Sequence, residues 1–285
     1  MPSSWALLSL EPAPGPATTQ YVFFETLPAT LAPNATKRSL ASSRPMVSRV
    51  PVTTKVFEEL KIDYCCGGNK KFEEACDNAN VAPEDVEEKI STMLQNLEEV
   101  PKNEFGEEVS PAKLIEFIVE KHHKFTRDEI VRLTPLMDKV TRKHGELHSE
   151  LLEVYRAFSG LCEDLMPHMH KEEMVLFPHI KNLQVAEITN QSFPAPPFGT
   201  VKNPIQMMNM EHDAAGDFLR EIRKCSNDFT LPEGACPSYK ALYFGLEELE
   251  KDLHRHIHLE NNLLFPLAIK MEEKSSGILK AQESY

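Results

Sequence analysis

No stretch of this 285-residue chain approaches the roughly 20 consecutive apolar residues that a membrane-spanning helix needs, so no membrane association is expected. Positive charge is also scarce. The 31 Lys and Arg residues stand against 44 Asp and Glu, a formal net charge of −13, which argues against a basic face for nucleic acid. Cysteine is sparse at six residues, two of them adjacent (Cys65 and Cys66). That is no secreted disulfide framework, and a reducing compartment fits better. Apolar residues, at 41%, are plentiful enough to build a core for one medium domain and a smaller one.

Acidic residues are nearly missing from residues 1–48, where Glu11 and Glu25 are the only two. This Pro-, Ala-, Ser- and Thr-rich leader has no helical periodicity and reads as disordered or as a targeting segment. The expected location is cytoplasmic, or mitochondrial or a related organelle if the leader is a transit peptide. Met46 is an alternative start.

Residues 50–98 read as a small helical module. Thr53 or Thr54 can cap a first helix that should stop at Gly67-Gly68, a second should span roughly Lys70 to Asn78, and a third should start at Pro83. Between them lies Asp63-Tyr64-Cys65-Cys66-Gly67-Gly68. The glycines place the two cysteines at a turn, and Lys70 and Lys71 favour their thiolate form, so Cys65 and Cys66 are candidate redox thiols, with Cys76 a third participant. The alternative is that Cys65 packs in the module's core. Cys162, Cys225 and Cys236 read as small apolar residues or bystanders.

Beyond a polar connector, one pattern is written twice, 88 residues apart: Asp164-Leu165-x-x-His168-x-His170-x-Glu172-x-x-x-Leu176-Phe177-Pro178 and Asp252-Leu253-x-x-His256-x-His258-x-Glu260-x-x-x-Leu264-Phe265-Pro266. Four residues on a helix amount to about 40° of net rotation and one turn of rise, so each His and its Glu share a face. His170 and His258 lie about 200° away from His168 and His256, and His254 is displaced likewise; these three read as surface or interhelix residues. His123 and His212 precede His168 and His256 by 45 and 44 residues, which duplicates the whole unit of one His helix and one His-x-x-x-Glu helix. The resulting set is His123, His168, His212 and His256 with Glu172 and Glu260. Its mixture of nitrogen and oxygen donors suits iron or manganese in a two-fold pseudo-symmetric bundle.

The expected fold is therefore all-α: the small module, then a four-helix bundle over 110–273 and a tail over 274–285. The bundle helices should run about 111–143 (kinked near Pro135), 146–183, 202–226 and 237–273, with Ser110-Pro111 as the first cap. Pro167, directly before His168, should kink the second helix or start a new segment.

The Cys-Cys segment with its following helix resembles the N-terminal domain of the iron–sulfur cluster repair di-iron proteins. Residues 111–273 resemble the hemerythrin-like domain of the same family, in the same order. Glu211-His212-Asp213 and His256-x-x-x-Glu260-Asn261-Asn262-x-Leu264-Phe265-Pro266 also fall in family order. The resemblance implies two non-haem irons with oxo and carboxylate bridges. His123, His168, His212 and His256 would be the terminal ligands, those of the first repeat on one iron and those of the second on the other, and Glu172 and Glu260 would bridge. It further implies repair of clusters damaged by nitric oxide or oxidants, damaged or apo iron–sulfur proteins as partners, nitric oxide or oxygen as small ligands, and a homodimer. Whether such repair is enzymatic is left open by the sequence, as are the roles of His122, His144 and Glu211. The competing reading is an oxygen- or nitric-oxide-binding hemerythrin-like carrier or sensor. Such carriers typically have a fifth histidine and no Cys-Cys module.

Overall fold

A computed structural model of the chain describes residues 56–57, 59–62, 72–95, 110–191 and 196–283. Cys65 and Cys66 lie outside the described residues, as does the leader. Among the described residues, six helices follow helical backbone at 56–57 and 59. They are α1 (Phe72–Asn78) and α2 (Pro83–Gln95) in the small module, then α3 (Pro111 to His144), α4 (Glu150 to Thr189), α5 (Lys202–Cys225) and α6 (Pro237 to Glu283). No strand occurs among the described residues, so the fold is all-α, and no helix there is long and apolar enough to cross a membrane.

Three of the four bundle helices change pitch partway. Ile118–His123 in α3, Glu172–Leu176 in α4 and Glu260–Leu264 in α6 are wide π turns, with i→i+5 rather than i→i+4 hydrogen bonds. Each of the last two is followed at once by Phe-Pro, with Pro178 and Pro266 in the first turn of the next α-helical stretch. A proline has no N–H to give to the helical ladder, and a wide turn just before it relieves the carbonyl that would otherwise clash. The duplicated Leu-Phe-Pro thus accompanies two of the three wide turns, whereas Ile118–His123 is followed by no proline. Pro135 and Pro167 sit inside continuous α-helix, so Pro167 does not start a new helical segment.

Other boundaries also differ from expectation. The helical backbone before α1 ends at Lys61, which takes a left-handed φ of 57°, and not at Gly67-Gly68; Ile62 N–H closes it on Phe57 O at 2.9 Å. α4 starts at Glu150 and runs to Thr189, where Asn190 (φ 50°) ends it. α6 continues to Glu283, through most of the expected tail. Ser110 occupies the N-cap of α3 without capping through its hydroxyl. Gln184 of α4 caps instead, accepting from the Ala112 N–H at 2.8 Å while its amide donates to Ser110 Oγ at 3.1 Å. A long-range partner has taken over the local cap.

The bundle pairs α4 with α5 and α3 with α6. Its apolar interior has two blocks. Leu133, Met137, Phe158, Leu161, Leu246 and Leu253 belong to one, and Leu114, Ile118, Phe177, Ile180, Ile205 and Phe265 to the other. The wide turns and the duplicated His/Glu pairs fall between the two blocks. The small module closes its own core of Val56, Phe57, Cys76, Val86 and Ile90 on Ile257 of α6, and Lys61 pairs with Asp228 beyond α5.

Candidate metal centre

Burial of a formal charge without a partner is costly, and Glu172 and Glu260 are both fully buried. They lie at the middle of the bundle, where each wide turn begins. Around them His123, His168, His212 and His256 are at most 3% exposed and turn their Nε2 atoms inward. His123 Nε2 and His256 Nε2 are 3.0 Å apart, and His168 Nε2 and His212 Nε2 are 3.1 Å apart. Glu172 Oε2 is 3.4 Å from both His123 Nε2 and His168 Nε2. Glu260 Oε1 is 3.1 Å from His256 Nε2, and Oε2 is 3.1 Å from His212 Nε2 without closing a hydrogen bond there.

Two groups of potential donors result: His123, Glu172, His256 and Glu260, and His168, Glu172, His212 and Glu260, the donor atoms of each lying within 4.8 Å of one another. Both groups contain both carboxylates. The six residues singled out in the sequence are brought together, but not in the expected pairing. Each group takes one histidine from each repeat, because α3 packs on α6 and α4 on α5, so the facing helices come from different halves of the duplication.

The outer side of the site orients the rings. His123 Nδ1 meets Glu173 Oε1 at 2.6 Å, His168 Nδ1 meets Glu211 Oε2 at 2.8 Å and His212 Nδ1 meets Asn261 Oδ1 at 2.8 Å. Arg127 and Lys171 anchor Glu173 and Glu211 in turn. A histidine that donates its Nδ1–H outward presents an Nε2 lone pair inward, as metal ligation requires. The sequence alone placed Glu211 and Asn261 only within motifs, with the role of Glu211 left open, and did not single out Glu173. Their only signal was adjacency, since Glu173 follows Glu172, Glu211 precedes His212 and Asn261 follows Glu260. His122 turns away, to Asp252 Oδ1 at 2.9 Å, and its ring stacks on His256 at 5.9 Å. His170 is exposed, whereas His258 is buried on the outer face of α6 and contacts Asn262.

Without a cation the site divides its charge unevenly. Burial, and then the Glu260 carboxylate, push Glu172 well above the usual carboxyl range. Burial acts the same way on Glu260, yet His256, His123 and His212 hold it well below. Burial pushes His168 down to about 4 and also lowers His123, against the pull of nearby carboxylates. On His256 burial is outweighed by Glu260 and Asp252, and the net shift is upward. Both oxygens of Glu172, and Glu260 Oε2, have no hydrogen-bond partner though fully buried. Orphaned carboxylate oxygens facing convergent imidazole nitrogens are what a divalent cation would satisfy, and this donor set suits iron or manganese.

The family model for the Hemerythrin HHE cation binding domain matches residues 113–268, and that for the Domain of Unknown function (DUF542) matches residues 44–94. A protein of Yersinia pseudotuberculosis serotype IB (strain PB1/+), named Iron-sulfur cluster repair protein YtfE, is 34% identical over 223 residues, 78% of this chain and 94% of that protein. The protein of the same name from Yersinia pestis (strain Pestoides F) matches to the same extent. With the cation-binding domain covering more than half of the chain and these relatives matched over nearly their whole length, the chain belongs to the hemerythrin-domain family of iron–sulfur cluster repair proteins.

Proposed function

We propose that the chain is a non-haem di-iron protein that restores iron–sulfur clusters damaged by nitrosative or oxidative stress, by donating iron, by handling nitric oxide, or both. The observation that carries this reading is that two four-residue donor groups share the same two buried carboxylates. The repair role comes from the relatives, which are named Iron-sulfur cluster repair protein YtfE. One iron would be held by His123 and His256, the other by His168 and His212, with Glu172 and Glu260 reaching both.

Iron held this way would supply one-electron chemistry and would bind nitric oxide or oxygen. The protein's own part is to keep the rings oriented through Glu173, Glu211 and Asn261 and to exclude water from both carboxylates. Because burial raises the affinity of Glu172 for a proton, loading the site would compete with protonation there. Cys65 and Cys66 would act on iron or nitric oxide as redox thiols, from a module whose core already includes Ile257 of the bundle. Damaged or apo iron–sulfur proteins would be the clients. An oxo bridge, a homodimer and a cytoplasmic or organellar location belong to the same reading, on resemblance and composition alone.

Anaerobic reconstitution with ferrous iron, followed by reactivation of a nitric-oxide-damaged iron–sulfur enzyme, tests the reading. Two irons per chain and restored client activity are expected. A Cys65→Ser, Cys66→Ser variant should keep its iron and lose most of the reactivation. One iron per chain, or tightly held zinc after growth in iron-replete medium, would sink the di-iron site. Full iron with no reactivation would sink the repair role alone.

A further inference from the structure

The C-terminal end of the α-helical stretch Lys124–His144 and the start of α6 meet at a second cluster that the iron site does not use. His123 lies 21 residues before His144, and His256 lies 20 residues after Cys236, so this cluster is about 30 Å from the iron ligands along either helix. Cys236 is the N-cap of α6, with φ −70° and ψ 163°. Its Sγ is 3.2 Å from His144 Nε2. The two side chains line a recess of about 170 Å³ together with Lys139 and Lys143, and Val140 and Pro237 contribute apolar wall. The His144 ring is kept in place edge-on to Tyr239, at 5.6 Å between centroids.

Four features meet around the sulfur: a histidine in contact, two lysines lining the same recess, the open first turn of α6, and the recess itself. The other cysteines of the bundle lack this setting. Burial pushes the Cys162 thiol up to about 12, and burial with the Glu221 carboxylate raises Cys225. Cys236 goes the other way, lowered first by the Tyr239 backbone N–H and then by Ser238, Lys143 and Lys139, although no N–H closes a full hydrogen bond on it. A metal is a poor explanation, because one sulfur and one imidazole fall short of the four ligands of a structural zinc site. At about 170 Å³ the recess is also smaller than a whole-ligand pocket of about 300 Å³ or more, so it suits one end of a small molecule.

We propose that Cys236, paired with His144, is a second reactive thiol of this protein. Its substrates are small disulfides that carry carboxylates, and Lys139 and Lys143 receive the carboxylates. The Cys236 proton passes to His144 Nε2, and the thiolate attacks one sulfur of the disulfide. A bond forms between Cys236 Sγ and that sulfur, the original S–S bond breaks, and the departing thiolate takes the proton back from His144. One disulfide is exchanged for another, so no outside oxidant or reductant is required. The product is a mixed disulfide at the end of the bundle remote from the iron, a modification by which the thiol–disulfide state of the surroundings is written onto the protein.

The test uses the full-length, iron-loaded, reduced protein. It is treated anaerobically with oxidised glutathione or, in parallel, with the uncharged bis(2-hydroxyethyl) disulfide. Peptide mass mapping over time then separates Cys236 from Cys65, Cys66, Cys76, Cys162 and Cys225. Cys236 should form the glutathione adduct at least about ten times faster than Cys162 or Cys225. A Lys139→Gln, Lys143→Gln variant should lose about tenfold in rate with oxidised glutathione and less than about twofold with the uncharged reagent. His144→Gln should move the rate profile to higher pH, and iron content should be unchanged in every variant. Equal rates at the three bundle thiols, a lysine variant that slows both reagents alike, or an unaltered pH profile in His144→Gln would overturn the assignment.

Discussion

Replacing Glu172 by Gln should strengthen the metal-free fold while weakening its hold on metal. Glu172 is fully buried, neither of its oxygens has a hydrogen-bond partner, and burial with the nearby Glu260 raises its pKa well above the usual value. A carboxyl that binds its proton more tightly in the folded state loses stability as pH rises. The loss begins near the unfolded value of about 4.3 and continues up to the raised folded value, at about a tenfold change in the folding constant per pH unit. Gln has the same shape and never ionises, so the variant escapes this loss. Urea unfolding of chelator-treated wild type and Glu172→Gln at a series of pH values above about 4.3 should therefore show an advantage for the variant that grows with pH. With iron present the order should reverse. A carboxylate shared by both donor groups is lost, and affinity in a chelator competition should fall by more than the 10–100-fold typical of outer-shell changes. An advantage that does not change with pH, or a variant less stable than wild type without metal, would refute the claim that this carboxylate is placed for a cation.

The ring-orienting carboxylates give a milder effect: Glu211→Ala should cost about 10–100-fold in iron affinity, Glu211→Gln should recover part of it, and equal iron binding by all three proteins would show that His168 needs no such support. His170→Ala and His258→Ala should both keep their iron, but only the second should lower stability, by about 2–4 kcal/mol, because His258 is buried and His170 exposed. Thermal unfolding and metal analysis on the same samples check both statements, and iron loss from either would place that ring in the site. Gly245→Ala should destabilise by about 1–3 kcal/mol, since the added methyl would lie 2.2 Å from Arg132 Nη2 and 2.6 Å from Leu133 Cδ2; a Tm equal to wild type would mean that both neighbours move freely.

The sequence by itself determined the helical class, the duplicated unit and the six residues that converge at the centre. These are carried by local periodicity: a His and a Glu four residues apart share a helix face whatever the helix packs against. It also carried the small module's helix starting at Pro83 and the family that the motifs indicate. Tertiary structure decided the rest. Which histidines share a donor group depends on α3 packing against α6 and α4 against α5, and no spacing within one repeat encodes that. Gln184 replaced Ser110 as the cap of α3 because it lies across the bundle, 74 residues away. His170 and His258 occupy equivalent places in the two repeats, yet one is exposed and the other buried. The pairing of Cys236 with His144 was invisible for the same reason, as the two are 92 residues apart and meet only where one helix ends and another begins. Helical periodicity fixes the direction of a side chain relative to its own axis, whereas its neighbour is set by how the axes pack.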